Sequence, residues 1–278
     1  MPDSLSPGAP TPAPRTFPRP DYGLDAPGVV RNLLFFSAAG LFVALAALLN
    51  WIPLFLIGPG IGCFISFAIT GSWMVYSSKI GKIHAREWLL DCAKLQGDEN
   101  VLDVGCGRGL MLIGAAKRLT TGRATGIDIW QAEDLSDNSA EATLENARRE
   151  GVADRAEVIT SDMRSMPFPS ESFDLVVSCW AIHNLYNAAD REKAIREISR
   201  VIKPGGRAIV KDIRHLGEYT RAFAASGCKD VTRLTSAGST LVAMLMTFGS
   251  LKPGVILVRK AASNEGNDRH VPQPSCAS

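Results

Sequence analysis

Residues 32–78 contain no Asp, Glu, Lys, Arg or His. A helix needs about 20 apolar residues to cross the hydrocarbon core of a bilayer, so this tract has room for two crossings and a turn. "NLLFFSAAGLFVALAALLNW" reads as the first span. "NWIP" supplies the break, because Pro53 disfavours helix in the residue before it. "LFLIGPGIGCFISFAITGSWMVY" reads as the second, with a kink or late start at Gly58-Pro59-Gly60. Trp51, Trp73 and Tyr76 sit where interfacial aromatics would. Arg15, Arg19 and Arg31 precede the hairpin and Lys79, Lys82 and Arg86 follow it, which places both ends in the cytoplasm. The competing reading is a buried helical hairpin in a soluble protein, but two tandem uncharged spans are hard to bury in so small a domain. A cleaved signal peptide fits badly, since a second apolar span follows the first.

The rest of the chain is ordinary in charge. A net charge of +2 gives no electrostatic case for nucleic acid, which would need a basic face or run. The six cysteines are scattered, with no Cys-x-x-Cys pair and no His at metal spacing. Reduced thiols are therefore expected, with no disulfide framework and no metal. The ends are rich in Pro, Ser and other polar or small residues, so residues 1–28 and 261–278 are expected to be disordered. That leaves a hairpin at 29–78 and a catalytic-sized domain at 79–260.

Within that domain, "KIGKIHAREWLLDCAKL" carries apolar residues at helical spacing and reads as a leading helix. Strands are then expected at 100–104, 123–127, 156–160, 173–178 and 207–212, separated by helices at about 110–119, 138–150 and 190–202. Alternating strands and helices imply a doubly wound parallel sheet of Rossmann-like type. Ligands of such sheets bind beyond the carboxyl ends of the strands. Asp103, Asp128 and Asp162 all lie at or just past those ends, on three successive strands.

Between the first strand and its helix stands "VLDVGCGRGL", with glycine at 105, 107 and 109. A dinucleotide fingerprint needs G-x-G-x-x-G, and its third position here is Leu110. No Walker lysine follows either. Asp103 at the loop entrance would repel phosphate and welcome a cation, while the glycines let backbone approach a ligand closely. Asp128 is placed to take ribose hydroxyls. A cation-bearing adenosine compound such as S-adenosylmethionine (SAM) fits these features.

The ordered set "VLDVGCGRG", "GIDI", "SDM", "FDLVVSCWAIHNL" and "IKPGG" resembles the motifs of the class I SAM-dependent methyltransferases, nearest to the ubiquinone/menaquinone and sterol methyltransferase branch. The likeness runs from about Lys79 to Lys260; it does not include the hairpin, and it weakens after Asp212. It implies that Asp103, Gly105 and Gly107 contact the methionine moiety of SAM, with Cys106 between them as a small member of the same loop. It implies ribose contacts for Asp128, adenine packing for Ile129, and an adenine amino contact for Asp162 with the Met163 backbone beside it. Ser178 and Cys179 would line the methyl-transfer region, and Tyr76 or Lys79 would close over the cofactor.

His183 has two readings. In one it faces the acceptor and moves or orients a proton; in the other it caps or shields the cofactor, since methyl transfer from a sulfonium depends above all on in-line approach. Trp180 either walls the acceptor pocket or simply packs. Cys179 lacks a visible base that would make it a nucleophile. The segment 241–248, "LVAMLMTF", is either a core helix or an apolar flap that touches lipid. The expectation is thus a multi-pass cell-membrane SAM-dependent methyltransferase with its domain on the cytoplasmic side. Its acceptor would be small and lipophilic, or a lipid. The alternatives are methylation of a soluble metabolite or a membrane protein, or a non-catalytic SAM-binding module that regulates a partner.

Overall fold

The apolar residues of the strands alternate between two faces, and each face finds its own helical cover. The computed structural model describes residues 19–131, 133–234 and 252–262. Seven strands form one sheet: β1 (Asn100–Val104), β2 (Arg123–Asp128), β3 (Ala156–Thr160), β4 (Phe173–Cys179), β5 (Ile202–Asp212), β6 (Cys228–Leu234) and β7 (Gly254–Lys260). Their order is β3-β2-β1-β4-β5-β7-β6. The first five are parallel, whereas β7 is antiparallel to both β5 and β6. The expected sheet is therefore correct over five strands and incomplete at its far edge.

Helices α3 (Lys82–Ala93), α4 (Leu110–Ala116) and α5 (Ala140–Arg149) cover one face. There Leu89, Leu90, Ile113 and Ala147 pack on Val101, Ala124, Leu175 and Ile209. Helices α6 (Ala188–Val201) and α7 (Leu216–Ala225) cover the other, where Ile195, Ile198 and Phe223 meet Leu102, Val176, Ala208 and Val210. Leu102 between Val101 and Asp103, or Ile209 between Ala208 and Val210, shows the period of two sorting neighbours to opposite faces. Strand β5 begins at Ile202, directly after α6, through a register shift opposite Phe173/Leu175, rather than at residue 207.

Ahead of the domain, α1 (Pro27–Leu48) and α2 (Ile57–Tyr76) form an antiparallel hairpin. Two helical stretches, Pro27–Leu48 and Leu54–Ala93, are long and apolar enough to cross a membrane. Close packing rests on two small residues: a Cβ on Gly40 would stand 2.9 Å from the Gly60 carbonyl oxygen, and one on Gly60 2.7 Å from the Ala44 nitrogen. The Ser37 hydroxyl adds a 3.0 Å bond to the Phe64 carbonyl across the pair. Phe35, Phe42, Phe55 and Ile69 point outward, each more than half exposed.

Two expectations change here. No loop separates hairpin from domain: α2 passes through a π-turn, Ser77–Gly81, straight into α3. The disorder expected up to residue 28 does not hold for residues 21–26, which lie ordered against the domain. Tyr22 is 5% exposed, its hydroxyl bonded to Glu150 and Arg86. Lys82 Nζ donates to the Tyr22 and Gly23 carbonyls and to Asp25, and Asp25 bridges to Leu135. Among the described residues, Cys63, Cys106, Cys179 and Cys228 are free. The expected tail from 263 on, the expected disorder before residue 19 and the segment 241–248 lie outside the described residues.

Candidate cofactor and methyl-transfer site

The strand order reverses direction between β1 and β4, and the crevice at the carboxyl ends of these strands is the natural ligand position of an open α/β sheet. The glycine loop turns there. Gly105 and Cys106 both donate their N–H to the Ile127 carbonyl, which pins the loop to the end of β2. Gly105 has φ +73°, and a Cβ there would stand 2.2 Å from the Ala181 Cβ and 3.6 Å from Met163 Cε. Glycine is required at this point by both conformation and space. Position 105 is where the loops after β1, β3 and β4 converge.

Asp128 ends β2 and ties the crevice together. Its carboxylate accepts the Gly107 N–H at 2.8 Å and the Trp130 N–H at 2.7 Å, with Asn138 Nδ2 at 3.5 Å. The Asn138 Oδ1 atom beside it is buried and has no partner. An acceptor left open next to Asp128 suits a ligand that brings its own donors, as ribose hydroxyls do. Ile129 follows, half exposed.

Asp103 is 1% exposed and its carboxylate accepts the Leu112 N–H at 2.8 Å, fixing the first turn of α4. Burial, reinforced by the Asp128 charge, pushes its carboxyl up to about 7 although the Leu112 bond pulls the other way. A cation brought to this crevice would return it to the ionised form. Asp162, at the end of β3, is engaged by the Arg164 backbone N–H and guanidinium, which also reaches Asp190 on α6. Its carboxyl is held below the usual range chiefly by Arg164. Ser178 is 2% exposed, and its hydroxyl donates to the Val104 carbonyl, locking β4 to β1 beneath the loop. Cys106 is buried under Gly126. Burial raises its thiol well above the ordinary value and Cys179 to about 11, so both stay protonated at neutral pH.

Across the crevice, His183 sits in a short turn after β4, its Nδ1 2.6 Å from Asp212 Oδ1 at the end of β5, though without hydrogen-bond angles. The His183 backbone N–H donates to Asp212 Oδ2 at 3.0 Å. Asp212 is fully buried and is also held by the Ile213 N–H and the Tyr219 hydroxyl. Sequence reading placed Asp212 only as the end of a strand; its position matches that of the other three acids, and that signal was available. Trp180 has φ +57°, Lys211 Nζ lies 5.5 Å over its ring, and its buried indole N–H has no partner. Asn184 bonds Asp134 at 2.8 Å, joining this turn to the loop after β2. Tyr76 stacks near Trp73, and Lys79 pairs with Asp21 at 2.8 Å.

Residues 102–210 match the family model described as "Methyltransferase domain". The chain is 33% identical over 127 residues to the methyltransferase GfsG of Streptomyces halstedii, covering 46% of this chain and 42% of that protein. It is 34% identical over 130 residues to the sterol 4-C-methyltransferase strm-1 of Caenorhabditis elegans, covering 46% and 36%. The chain thus spans less than half the length of these curated relatives. In fold it is similar to a geranyl diphosphate C-methyltransferase from Streptomyces coelicolor A3(2), solved with S-adenosyl-L-homocysteine, at a TM-score of 0.52 and 17% identity over 68% of this chain and 78% of that one. The fold is that of a Rossmann-like methyltransferase sheet.

Proposed function

We propose that this chain is a SAM-dependent methyltransferase, anchored in the cell membrane by its hairpin with the domain on the cytoplasmic side, acting on a small lipophilic acceptor. One observation carries the cofactor assignment: Asp128 binds the Gly107 N–H, so the ribose-accepting carboxylate and the glycine loop form one unit at the switch point. The open Asn138 acceptor and the glycine-only space at 105 fit the same ligand. SAM supplies a methyl group on a cationic sulfonium. Gly105 and Gly107 offer backbone to its methionine part, with Cys106 packed beneath them. Asp128 takes the ribose; Ile129, Asp162 and Met163 border the base; Ser178 holds the floor.

The His183–Asp212 pair supplies proton handling. With Nδ1 against a buried carboxylate, Nε2 is the nitrogen left to take a proton from an acceptor oxygen or carbon. The curated relatives include a sterol C-methyltransferase, and the similar solved structure acts on an isoprenoid diphosphate, which supports an apolar acceptor. The outward Phe and Ile side chains of α1 and α2 support lipid contact, since that much apolar surface is costly in water. The test is S-adenosylhomocysteine release by the full-length protein with an organic extract of membranes against an aqueous extract. Turnover with the membrane extract alone is expected; turnover with the aqueous extract alone would move the acceptor out of the bilayer. No turnover with either would favour a binding module.

A further inference from the structure

Residues 21–25 form a strap that enters the structure just ahead of the first span. It belongs to no strand or helix, and among the described residues its hydrogen-bond partners outside the strap are more than fifty positions away in sequence. At one end the Asp21 carbonyl accepts both the Arg108 Nε–H and the Asn146 Nδ2–H, each at 2.8 Å. Asn146 also donates to the Arg108 carbonyl, so a single amide joins strap and glycine loop. In the middle, the Leu24 N–H meets the Ser136 hydroxyl, in the loop whose Leu135 would stand 2.9 Å from a Cβ on Gly107. At the other end, the Asp25 N–H meets the Ser78 hydroxyl in the π-turn below the second span.

Arg108 directly follows Gly107, and its guanidinium is nearly buried between Asp21 and Ser136. The shape of the glycine loop therefore rests partly on a segment outside the sheet. Such a segment, held among the described residues chiefly by non-local bonds and one buried Tyr22 side chain, can leave as a unit while the sheet stays folded.

We infer that residues 21–25 position the cofactor loop through Arg108 and Asn146, so that strap docking and cofactor binding favour each other. This inference rests on the reading that SAM binds at the glycine loop. Because binding couplings are reciprocal, SAM must protect the strap as strongly as the strap aids SAM. In the full-length protein in detergent, saturating SAM should slow hydrogen exchange at the Leu24 and Asp25 amides by about tenfold. Replacing 21–25 by a Gly/Ser stretch of equal length should weaken SAM binding by a similar factor, measured by calorimetry well below the unfolding transition. Arg108→Met should do likewise, and Arg108→Lys, which keeps one donor, should recover part of the loss. If the wild type binds SAM, yet the strap amides exchange equally with and without it, the inference is overturned. That comparison needs no variant, so it stands even if the replaced chain fails to fold. A wild type that does not bind SAM at all would remove the underlying reading and the inference together.

Discussion

At the scale of single residues, the acids at the strand ends do unequal jobs. Asp103 is 1% exposed and carries a raised pKa of about 7. Its folded value lies above the unfolded one, so the native state binds the extra proton, and its contribution to stability falls as pH rises from about 4 to about 7. A cationic ligand prefers the ionised form. SAM affinity should therefore drop by up to about tenfold per pH unit below 7 and level off above it. Asp103→Asn should flatten that profile in calorimetry from pH 5.5 to 8. His183 makes a different prediction. Asp212→Asn leaves the ring without a carboxylate at Nδ1, so turnover should fall by roughly 100-fold or more with little change in SAM affinity. Equal turnover would assign His183 to shielding. Asp103, Asp128 and Asp162 were legible in the sequence because each ends a strand next to a loop with chemistry. The uses of Asn138 and Ser178 were not legible, since their partners, Asp128 and Val104, end other strands and only the folded chain brings them together.

At the scale of elements, the alternation in β1, β2, β4 and β5 and the helical spacing of α6 were readable because each buries a regular face. The π-turn at Ser77–Gly81 read as a join, since Ser-Ser and Gly usually end helices, yet here the Ser78 hydroxyl has a partner in the strap. β6 and β7 escaped notice because β6 buries only Cys228 and β7 is an apolar run, GVILVRK, without clean alternation. The strap was invisible for a related reason: it holds one buried aromatic and otherwise depends on distant donors. The hairpin contact was also missed, although Gly40 and Gly60 stand in plain view. Gly40→Leu forces a side chain into the Phe64 and Gly60 backbone, an overpacking that should cost about 1–3 kcal/mol. Thermal unfolding in detergent should show the hairpin loosening before the domain, whereas Gly62→Leu, which meets open space, should not.

For the whole molecule, hairpin and domain are joined twice, by the continuous helix from α2 into α3 and by the strap that leads into α1. The turn that carries His183 reaches the same junction, because Asn184 bonds Asp134, whose carbonyl accepts the Ala26 N–H at the start of α1. The His183 turn thus sits beside the point where the first apolar helix begins. On the membrane reading, the fixed orientation comes from these two joins, and no contact from residues 241–248 is needed. A Gly/Ser insertion after Ser78 should accordingly lower turnover of a membrane-extracted acceptor while the protein remains in the pellet after carbonate washing. Unchanged turnover would reduce the hairpin to an address. The central claim is narrower than any of these: a SAM site lies at the glycine loop and Asp128. Calorimetry on the detergent-solubilised full-length chain tests it most directly. The wild type should bind SAM saturably, Asp128→Ala should lose roughly 1.5–3 kcal/mol of binding through the lost charge-assisted bonds, and Gly105→Val should show no binding. A silent wild type, or a Gly105→Val variant that binds SAM normally, would contradict it.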